Sequence, residues 1–263
     1  MKKNLLYIGI TLAALCLCAC NTNEPTDSSS GIKNGALTNA AFQVNNAGKK
    51  VRFSQGNLQY QASTKTWRFA ENQYDMIGED NKNISDTYDG WIDLFGWGTG
   101  SNPTLSSTSY SDYSTFTDWG ANNISNGGNK TNQWRTLTKD EWDYVTTKGS
   151  KLHKWSNIGG INGYMLLPLN FKTPSGIDLT FNTFPITDWQ KLQANGAVFL
   201  PAAGDRDGMG AGSVGSVGRY GYYWSSTPTD EGAWLFSLDS DKGSMNSFYR
   251  NYGLPVRLVQ DIE

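Results

Sequence analysis

The segment "GDRDGMGAGSVGSVGRYGYYW" (204–224) places charged and aromatic side chains around a run of glycines. Asp205 and Asp207 could supply carboxylate oxygens to a calcium ion, or pair with Arg206 or Arg219. Calcium takes about six to eight oxygen ligands, and two carboxylates do not specify that number. A turn closed by its own hydrogen bonds is therefore the favoured interpretation, and no cofactor is expected, with calcium left open but unsupported by a motif.

Aromatic residues make up 13% of the chain, including 10 Trp and 13 Tyr. Most of these rings are expected to fill a core, because each buries a large apolar area. Exposed rings that stack on sugars would be the functional minority. The hypothetical recognition patch consists of Asp205, Arg206, Asp207, Arg219, Tyr220, Tyr222 and Trp224.

Signals for catalysis are weak. His153 is the only histidine, no G-x-S-x-G nucleophile motif is present, and the neighbouring Lys151 and Lys154 indicate a solvated loop. The run "LDSDKGSM" spaces Asp239 and Asp241 like the start of a calcium loop, but a hairpin turn explains it better. The prediction is a protein that is not an enzyme. Paired carboxylates of a glycoside hydrolase stay open, since their separation depends on the fold.

All three cysteines lie in "LCLCAC" (15–20), after a basic start and a short apolar stretch. This pattern is typical of a secretory signal peptide, and the stretch is too short to span a bilayer. Leu17, Cys18, Ala19 and Cys20 resemble the lipobox of bacterial lipoproteins. The resemblance implies that Cys20 becomes an acylated N-terminus, with two or more acyl chains giving stable anchoring. An ordinary cleaved signal with chance cysteines is the alternative.

These features predict a signal peptide over 1–19, a flexible tether over 20–37 that is rich in Ser, Thr and Asn, and one folded domain over 38–263. The folded part contains no cysteine, so a large core must hold it together without disulfides. The predicted location is the outer membrane, through acyl chains on Cys20, with exposure at the cell surface left open.

Capping signals predict two short helices. Thr138 and Glu141 have the spacing of a capping box, flanked by Leu137 and Trp142 as a hydrophobic staple, which predicts a helix over 139–148. Thr187 with Gln190 begins a second helix, which Asn195-Gly196 ends. Short runs such as "AVFLPAAG", "YGYYWSST" and "GAWLFSLD" indicate strands. The predicted fold class is α+β, with short, mostly antiparallel strands, about two helices and long loops.

Several blocks carry a resemblance to known families. "WRTLTKDEWDYV" is similar to the helix segment of the formylglycine-generating-enzyme branch of the C-type-lectin-like fold. "VRFSQGNLQYQ", "WIDLFGWGTG", "DWGANNISNGGN", "GRYGYYWSSTPTDEGAWLFSL" and "RNYGLPVRLV" resemble the major-paralogous-domain lipoproteins of gut-type Gram-negative bacteria. The resemblance covers roughly 38–263 and implies a C-type-lectin-like domain. It implies much less about activity, because one fold hosts many functions.

Two departures limit what the resemblance implies. The oxidases of that branch need a cysteine pair to bind copper, and the folded part has no cysteine. The Glu-Pro-Asn, Gln-Pro-Asp and Trp-Asn-Asp motifs of calcium-dependent lectins do not occur either. Neither role is therefore expected here.

Charge excludes one class of partner. The formal charge is −2, and no basic stripe is present, so nucleic acid is not an expected partner. The expected function is a lipid-anchored, non-catalytic adhesion module that binds glycans or an envelope protein. An extracellular polysaccharide hydrolase and a structural or fimbrial accessory subunit are the alternatives.

Overall fold

Strands are the main regular elements that this sequence forms. The computed structural model describes residues 31–210 and 212–262. The strands are β1 (Ile32–Lys33), β2 (Ala36–Gln43), β3 (Lys50–Ser54), β4 (Leu58–Gln61), β5 (Thr66–Phe69), β6 (Trp91–Ile92), β7 (Ser150–Ile158), β8 (Ile161–Pro168), β9 (Thr183–Phe184), β10 (Val198–Pro201), β11 (Asp205–Arg206), β12 (Val214–Gly215), β13 (Gly221–Pro228), β14 (Gly232–Leu238), β15 (Gly243–Tyr249) and β16 (Val259–Ile262). The helices are α1 (Lys139–Thr147), α2 (Ile186–Ala194) and the 3-10 segments Gly78–Asn83, Tyr110–Tyr113 and Trp119–Ala121.

The strands form five small sheets, with the orders β1-β2-β3-β16, β10-β8-β7-β9, β13-β14-β15, β5-β4-β6 and β11-β12. In the described part of the chain, every pairing between these strands is antiparallel except that of β7 with β9. The first sheet joins the beginning of the described chain to its end, because β3 pairs with both β2 and β16.

The predicted fold class is wrong. Of the described residues, 37% are in strands and 13% in helices, so the chain is β-rich and not clearly α+β. The physical reason is that each of the two α-helices is only nine residues long. Aromatic and Thr residues, which fit a pleated sheet, place far more of the chain in strands.

The last residues of the predicted tether include strand residues of the first sheet, where Ile32 pairs with Leu37 and Lys33 with Ala36. The turn between the two strands is tight because Asn34 and Gly35 both adopt positive φ angles. The predicted signal peptide, Cys20 and the tether up to residue 30 lie outside the described residues.

The capping prediction for α1 is confirmed. The Glu141 amide donates to Thr138 Oγ1 at 3.2 Å, and the Thr138 amide donates to Glu141 Oε2 at 3.0 Å. Leu137 and Trp142 are fully buried. Arg135 also donates to both oxygens of Glu141 and to Asp261 at 2.7 Å, so the start of α1 is held against β16.

The second helix differs in its start. It begins at Ile186 with Pro185 as the N-cap, and no side chain caps it. Thr187 therefore lies inside the helix and is not its cap. The predicted end is confirmed, because Asn195 follows the last helical residue and Gly196 adopts a positive φ of 98°.

Three hydrophobic clusters make up the core. The first contains Trp67, Phe69, Phe95, Trp97, Trp119, Trp134, Trp224 and Leu235 among its residues. The second contains Phe42, Phe53, Trp142, Tyr164, Tyr223 and Phe236, and the third Phe171, Phe184, Trp189 and Phe199. The sheet β13-β14-β15 separates the first two, since successive residues of a strand point to opposite faces. Accordingly, Tyr223 lies in the second cluster and Trp224 in the first.

A buried polar network crosses these clusters. Arg257 is fully buried and donates to Asn57 Oδ1 at 3.2 Å, to Gln73 Oε1 at 2.8 Å and to the Phe199 carbonyl at 3.0 Å. The Tyr223 hydroxyl donates to the Pro201 carbonyl at 2.8 Å and accepts from Asn57 Nδ2 at 3.4 Å. Burial lowers the pKa of Arg257 to about 10, so the guanidinium stays charged at neutral pH among neutral partners.

Asp93 forms a second buried polar centre. Its carboxylate accepts from Asn81 Nδ2 at 2.8 Å and from the Ile77 amide at 3.0 Å. Asn81 Oδ1 in turn accepts from the Asp93 and Leu94 amides, which fixes the 3-10 segment Gly78–Asn83 against β6. Burial raises the pKa of Asp93 to about 6 despite these hydrogen bonds.

We predict that Arg257→Ala lowers the free energy of unfolding by about 3 kcal/mol or more, because it opens a cavity and leaves buried acceptors unpaired. Urea unfolding at neutral pH measures the change. Arg52→Ala is the control, since Arg52 is half-buried and makes one 3.3 Å bond to the Thr38 carbonyl. Its expected loss is under about 1 kcal/mol. Equal losses in the two variants would contradict the role of the network.

We predict that Asp93→Asn changes the pH dependence of stability. The folded chain holds the Asp93 proton up to about pH 6, whereas the usual pKa of the carboxyl is 3.8. The stability that this residue contributes is therefore complete below about pH 4 and is lost as the pH rises to about 6. Relative to wild type, the variant should gain roughly 3 kcal/mol between pH 4 and pH 7 in urea unfolding. A stability difference that stays constant over this range would contradict the assignment.

Candidate functional site

An open cleft of about 850 Å³ lies at the end of the sheet β13-β14-β15. It combines aromatic rings with carboxylates, and its lining residues are Asp205, Tyr222, Thr229, Asp230, Glu231, Gly232, Ser247, Phe248, Tyr249 and Tyr252. The position follows from the core, because Tyr222, Phe248 and Tyr252 pack against the first hydrophobic cluster from outside. The cleft is therefore the place where that aromatic core reaches the surface.

Strand register builds the wall of the cleft. Gly232 at the start of β14 pairs with Tyr249 at the end of β15, so the turn between β13 and β14 lies beside Tyr249. Within this turn the Thr229 amide donates to the Gly232 carbonyl at 2.9 Å, and the Gly232 amide donates to Thr229 Oγ1 at 3.0 Å. Arg250 holds the turn from behind by donating to the carbonyls of Gly232 and Thr229. The wall is thus fixed before any ligand arrives.

The rings form two groups. Tyr220 stacks on Tyr222 with centroids 6.0 Å apart, Tyr222 contacts Phe248 at 4.9 Å, and Phe248 contacts Tyr252 at 5.5 Å. Tyr249, which is 43% exposed, stacks on Tyr110 with centroids 5.8 Å apart. These flat, partly exposed faces could receive a planar or ring-shaped ligand.

Asp205 and Tyr222, two polar groups of the cleft, have raised pKa values. Burial raises the pKa of Asp205, and neighbouring Asp207 raises it further, while a hydrogen bond with Ser216 acts in the opposite direction. Burial, with Asp205 nearby, raises the pKa of Tyr222 to about 12, so its hydroxyl stays protonated at neutral pH. The exposed Glu231 accepts a hydrogen bond from the Tyr110 hydroxyl at 3.2 Å. The cleft therefore offers carboxylate acceptors next to neutral phenols.

The structure divides the predicted patch. Asp205 and Tyr222 line the cleft, and Tyr220 stacks at its edge. Asp207 lies in the loop between β11 and β12, where its amide donates to the Ser213 carbonyl and its Oδ1 accepts from the Met209 amide. Arg219 is exposed, with its guanidinium 5.9 Å from the Tyr220 ring centroid. The favoured interpretation of this loop as a turn with internal hydrogen bonds is confirmed.

Trp224 and Arg206 do not belong to an exposed patch. Trp224 is fully buried, and its indole N–H donates to the Phe95 carbonyl at 2.8 Å, because its place on β13 turns it toward the first cluster. Arg206 is 1% exposed and donates to Ser106 Oγ at 3.0 Å. A Cβ at Gly253 would lie 3.0 Å from the Arg206 side chain, so the chain closes directly over this guanidinium. Both residues support the cleft from beneath.

The sequence interpretation missed the turn 229–231 and the rings of Phe248, Tyr249 and Tyr252. The signal was present in the hairpin "WSSTPTDEGAWLF", whose turn carries two acidic residues. Pairing that hairpin with the following strand "GSMNSFY" would have brought Tyr249 beside the turn. The long-range partner Tyr110 had no local signal.

Other candidate positions are structural. His153 does not lie in a solvated loop. It lies on β7, where its ring stacks on Tyr164 with centroids 6.0 Å apart. Asp239 forms the predicted hairpin turn, its Oδ1 accepting from the amides of Asp241 and Lys242.

Among residues 31–210 and 212–262, no three or more His, Cys, Asp and Glu side chains group as metal ligands. The same residues contain no helix that is both long and apolar enough to cross a bilayer.

Comparison with protein families gives a match over part of the chain. Residues 187–259 match a domain of unknown function (DUF8237). This range is less than a third of the chain, yet it includes every residue that lines the cleft. No curated protein and no solved structure matches the chain.

Proposed function

We propose that this chain is a non-catalytic surface module that binds glycans in the cleft at the end of β13, β14 and β15. The observation that carries the proposal is the combination of partly exposed rings with carboxylate acceptors in one open groove. The face of an aromatic ring is negative, and it attracts the weakly positive C–H face of a pyranose. Carboxylates beside the rings accept charge-assisted hydrogen bonds from sugar hydroxyls and set orientation.

The proposed module is attached to the outer membrane through Cys20. The lipobox-like run Leu17-Cys18-Ala19-Cys20 supports this placement, and the acyl chains would provide the membrane contact. A surface module of this kind gains from a short tether, because the linker lets the cleft approach a polymer while the anchor stays in the bilayer.

A glycoside hydrolase is the second candidate. The observation in its favour is that Asp205, whose pKa is raised by burial, lines the same cleft as Asp230 and Glu231. Glycoside hydrolysis needs one carboxyl group as the acid and a second as base or nucleophile, and a raised pKa suits the acid. Incubating the protein with each bound oligosaccharide and separating the products tests this candidate. Cleavage that Asp205→Asn abolishes would replace the binding proposal.

We predict that Tyr249→Ala weakens glycan binding by about tenfold, because it removes one exposed stacking face without opening the core. A glycan array identifies the ligands of the full-length protein in detergent, and titration calorimetry then compares the variants. Phe181→Ala is the matched control, since Phe181 is 64% exposed and does not line the cleft. An array without any binding, or equal loss in the two variants, would refute the proposal.

We predict that Cys20→Ser abolishes acylation and leaves residues 1–19 attached when the chain is expressed in a Gram-negative host. The serine hydroxyl cannot form the thioether that holds the diacylglycerol. Mass spectrometry of the N-terminal peptide and metabolic labelling with a fatty acid measure both effects. Cys16→Ser is the control and should be processed normally, because Cys16 lies before the lipobox-like run. An unmodified thiol on wild-type Cys20 would contradict the anchor.

A further inference from the structure

In the part of the chain that the structure describes, the carboxylates that line the cleft form no ion pair. Asp205, Asp230 and Glu231 line it, and Asp207 adds its charge to the field at Asp205 and Tyr252. Among the described residues, none of these four carboxylates lies within 4.0 Å of a Lys, Arg or His nitrogen in an ion pair. The described lining residues include no basic side chain.

The neighbouring arginines are held elsewhere. Arg250 donates to the carbonyls of Gly232 and Thr229 and stands over the Trp97 ring, 5.0 Å from its centroid. Arg206 is buried and bonded to Ser106. Neither guanidinium lines the cleft, and among the described residues the exposed Arg219, which lies beside the Tyr220 ring, makes no ion pair with these carboxylates. Every charged side chain that lines the cleft is therefore acidic.

We infer that the cleft selects glycans that carry free amino groups, such as glucosamine polymers, over N-acetylated or acidic ones; this inference rests on the proposed function. An ammonium group is attracted both by unpaired carboxylates and by the negative faces of Tyr and Phe rings. A uronic acid or sulfated sugar would meet like charges in the same place. An acetylated amine loses the charge and keeps only stacking and neutral hydrogen bonds.

A sugar fits these surfaces better than a lysine side chain does. Tyr220 and Tyr222 lie nearly parallel, with an angle of 9° between their planes, and Tyr110 and Tyr249 lie at 19°. Each stack leaves its outer ring faces for a pyranose ring to pack against. A lysine chain would use the charge but leave most of this flat area uncovered.

The test compares three hexasaccharides by titration calorimetry with the full-length protein in detergent: β-1,4-linked glucosamine, its N-acetylated form and a polygalacturonate. At 50 mM salt the glucosamine hexamer should bind about tenfold more tightly than the acetylated one, and polygalacturonate should not bind. The preference should shrink at 500 mM salt, because added ions screen the exposed carboxylates.

Variants locate the effect. Asp230→Asn and Glu231→Gln should each weaken binding of the glucosamine hexamer about three- to fivefold and leave the acetylated hexamer unchanged. Asp143→Asn is the matched control, because Asp143 is exposed on α1 and does not line the cleft. Circular dichroism confirms that each variant is folded.

Three results would overturn the inference. If the acetylated hexamer binds equally well, the amine preference fails while glycan binding stands. If no hexamer binds and the glycan array is also empty, both proposals fail. If a lysine-rich peptide of the same charge binds more tightly than the glucosamine hexamer, with the same response to Glu231→Gln, the ligand is a protein.

Discussion

The structure depends on the hydrogen bonds of one buried guanidinium, that of Arg257. Arg257 lies near the end of the chain, yet its donors reach Asn57, Gln73 and the Phe199 carbonyl. A buried charge is costly unless hydrogen bonds compensate it. The partners are all neutral, so the compensation comes from the arrangement of amide and carbonyl dipoles and fails if any strand shifts. Gln73 reinforces this arrangement, because its Oε1 also accepts from the Phe199 amide at 2.8 Å and its Nε2 donates to the Ala197 carbonyl at 3.1 Å.

This constraint extends to the cleft through β13. The Tyr223 hydroxyl bonds to the Pro201 carbonyl and to Asn57, which itself receives Arg257. With Tyr223 fixed on one face of the strand, Tyr222 must point to the other face, where it meets Phe248. The turn at the end of β13 is then placed against Tyr249 by strand register. A rigid polar network inside the core thus sets the positions of the rings outside it.

Local signals were readable from the sequence, and long-range ones were not. Local hydrogen bonds join residues at most six positions apart, as in the capping box of Thr138 and Glu141 and the turns at Asp207 and Asp239. A short stretch of sequence contains both partners, so these bonds can be predicted from it. Arg257 and Asn57 are 200 residues apart, and nothing in either neighbourhood indicates the other. The predicted recognition patch was only partly right for the same reason, since its residues come together through long-range contacts. Asp205 and Tyr222 do line the cleft, but Trp224 faces the core, and the rings on β15 were missed. The fold class was wrong because two predicted helices of about nine residues were weighed equally with many short strands, which together contain far more of the described residues.

The absence of cysteine from the sequence after residue 20 gives these interactions their importance. No disulfide can limit the unfolded ensemble of the folded part, so aromatic packing and buried hydrogen bonds must supply the stability. A core packed with aromatic residues also favours ligand binding where its rings reach the surface. Rings already immobilised by a packed core lose little conformational freedom when a ligand stacks on them, so each contact contributes more to affinity. A core stabilised by large aromatic residues therefore prepares a recognition surface wherever its edge is left uncovered, as it is at Tyr222, Phe248 and Tyr252.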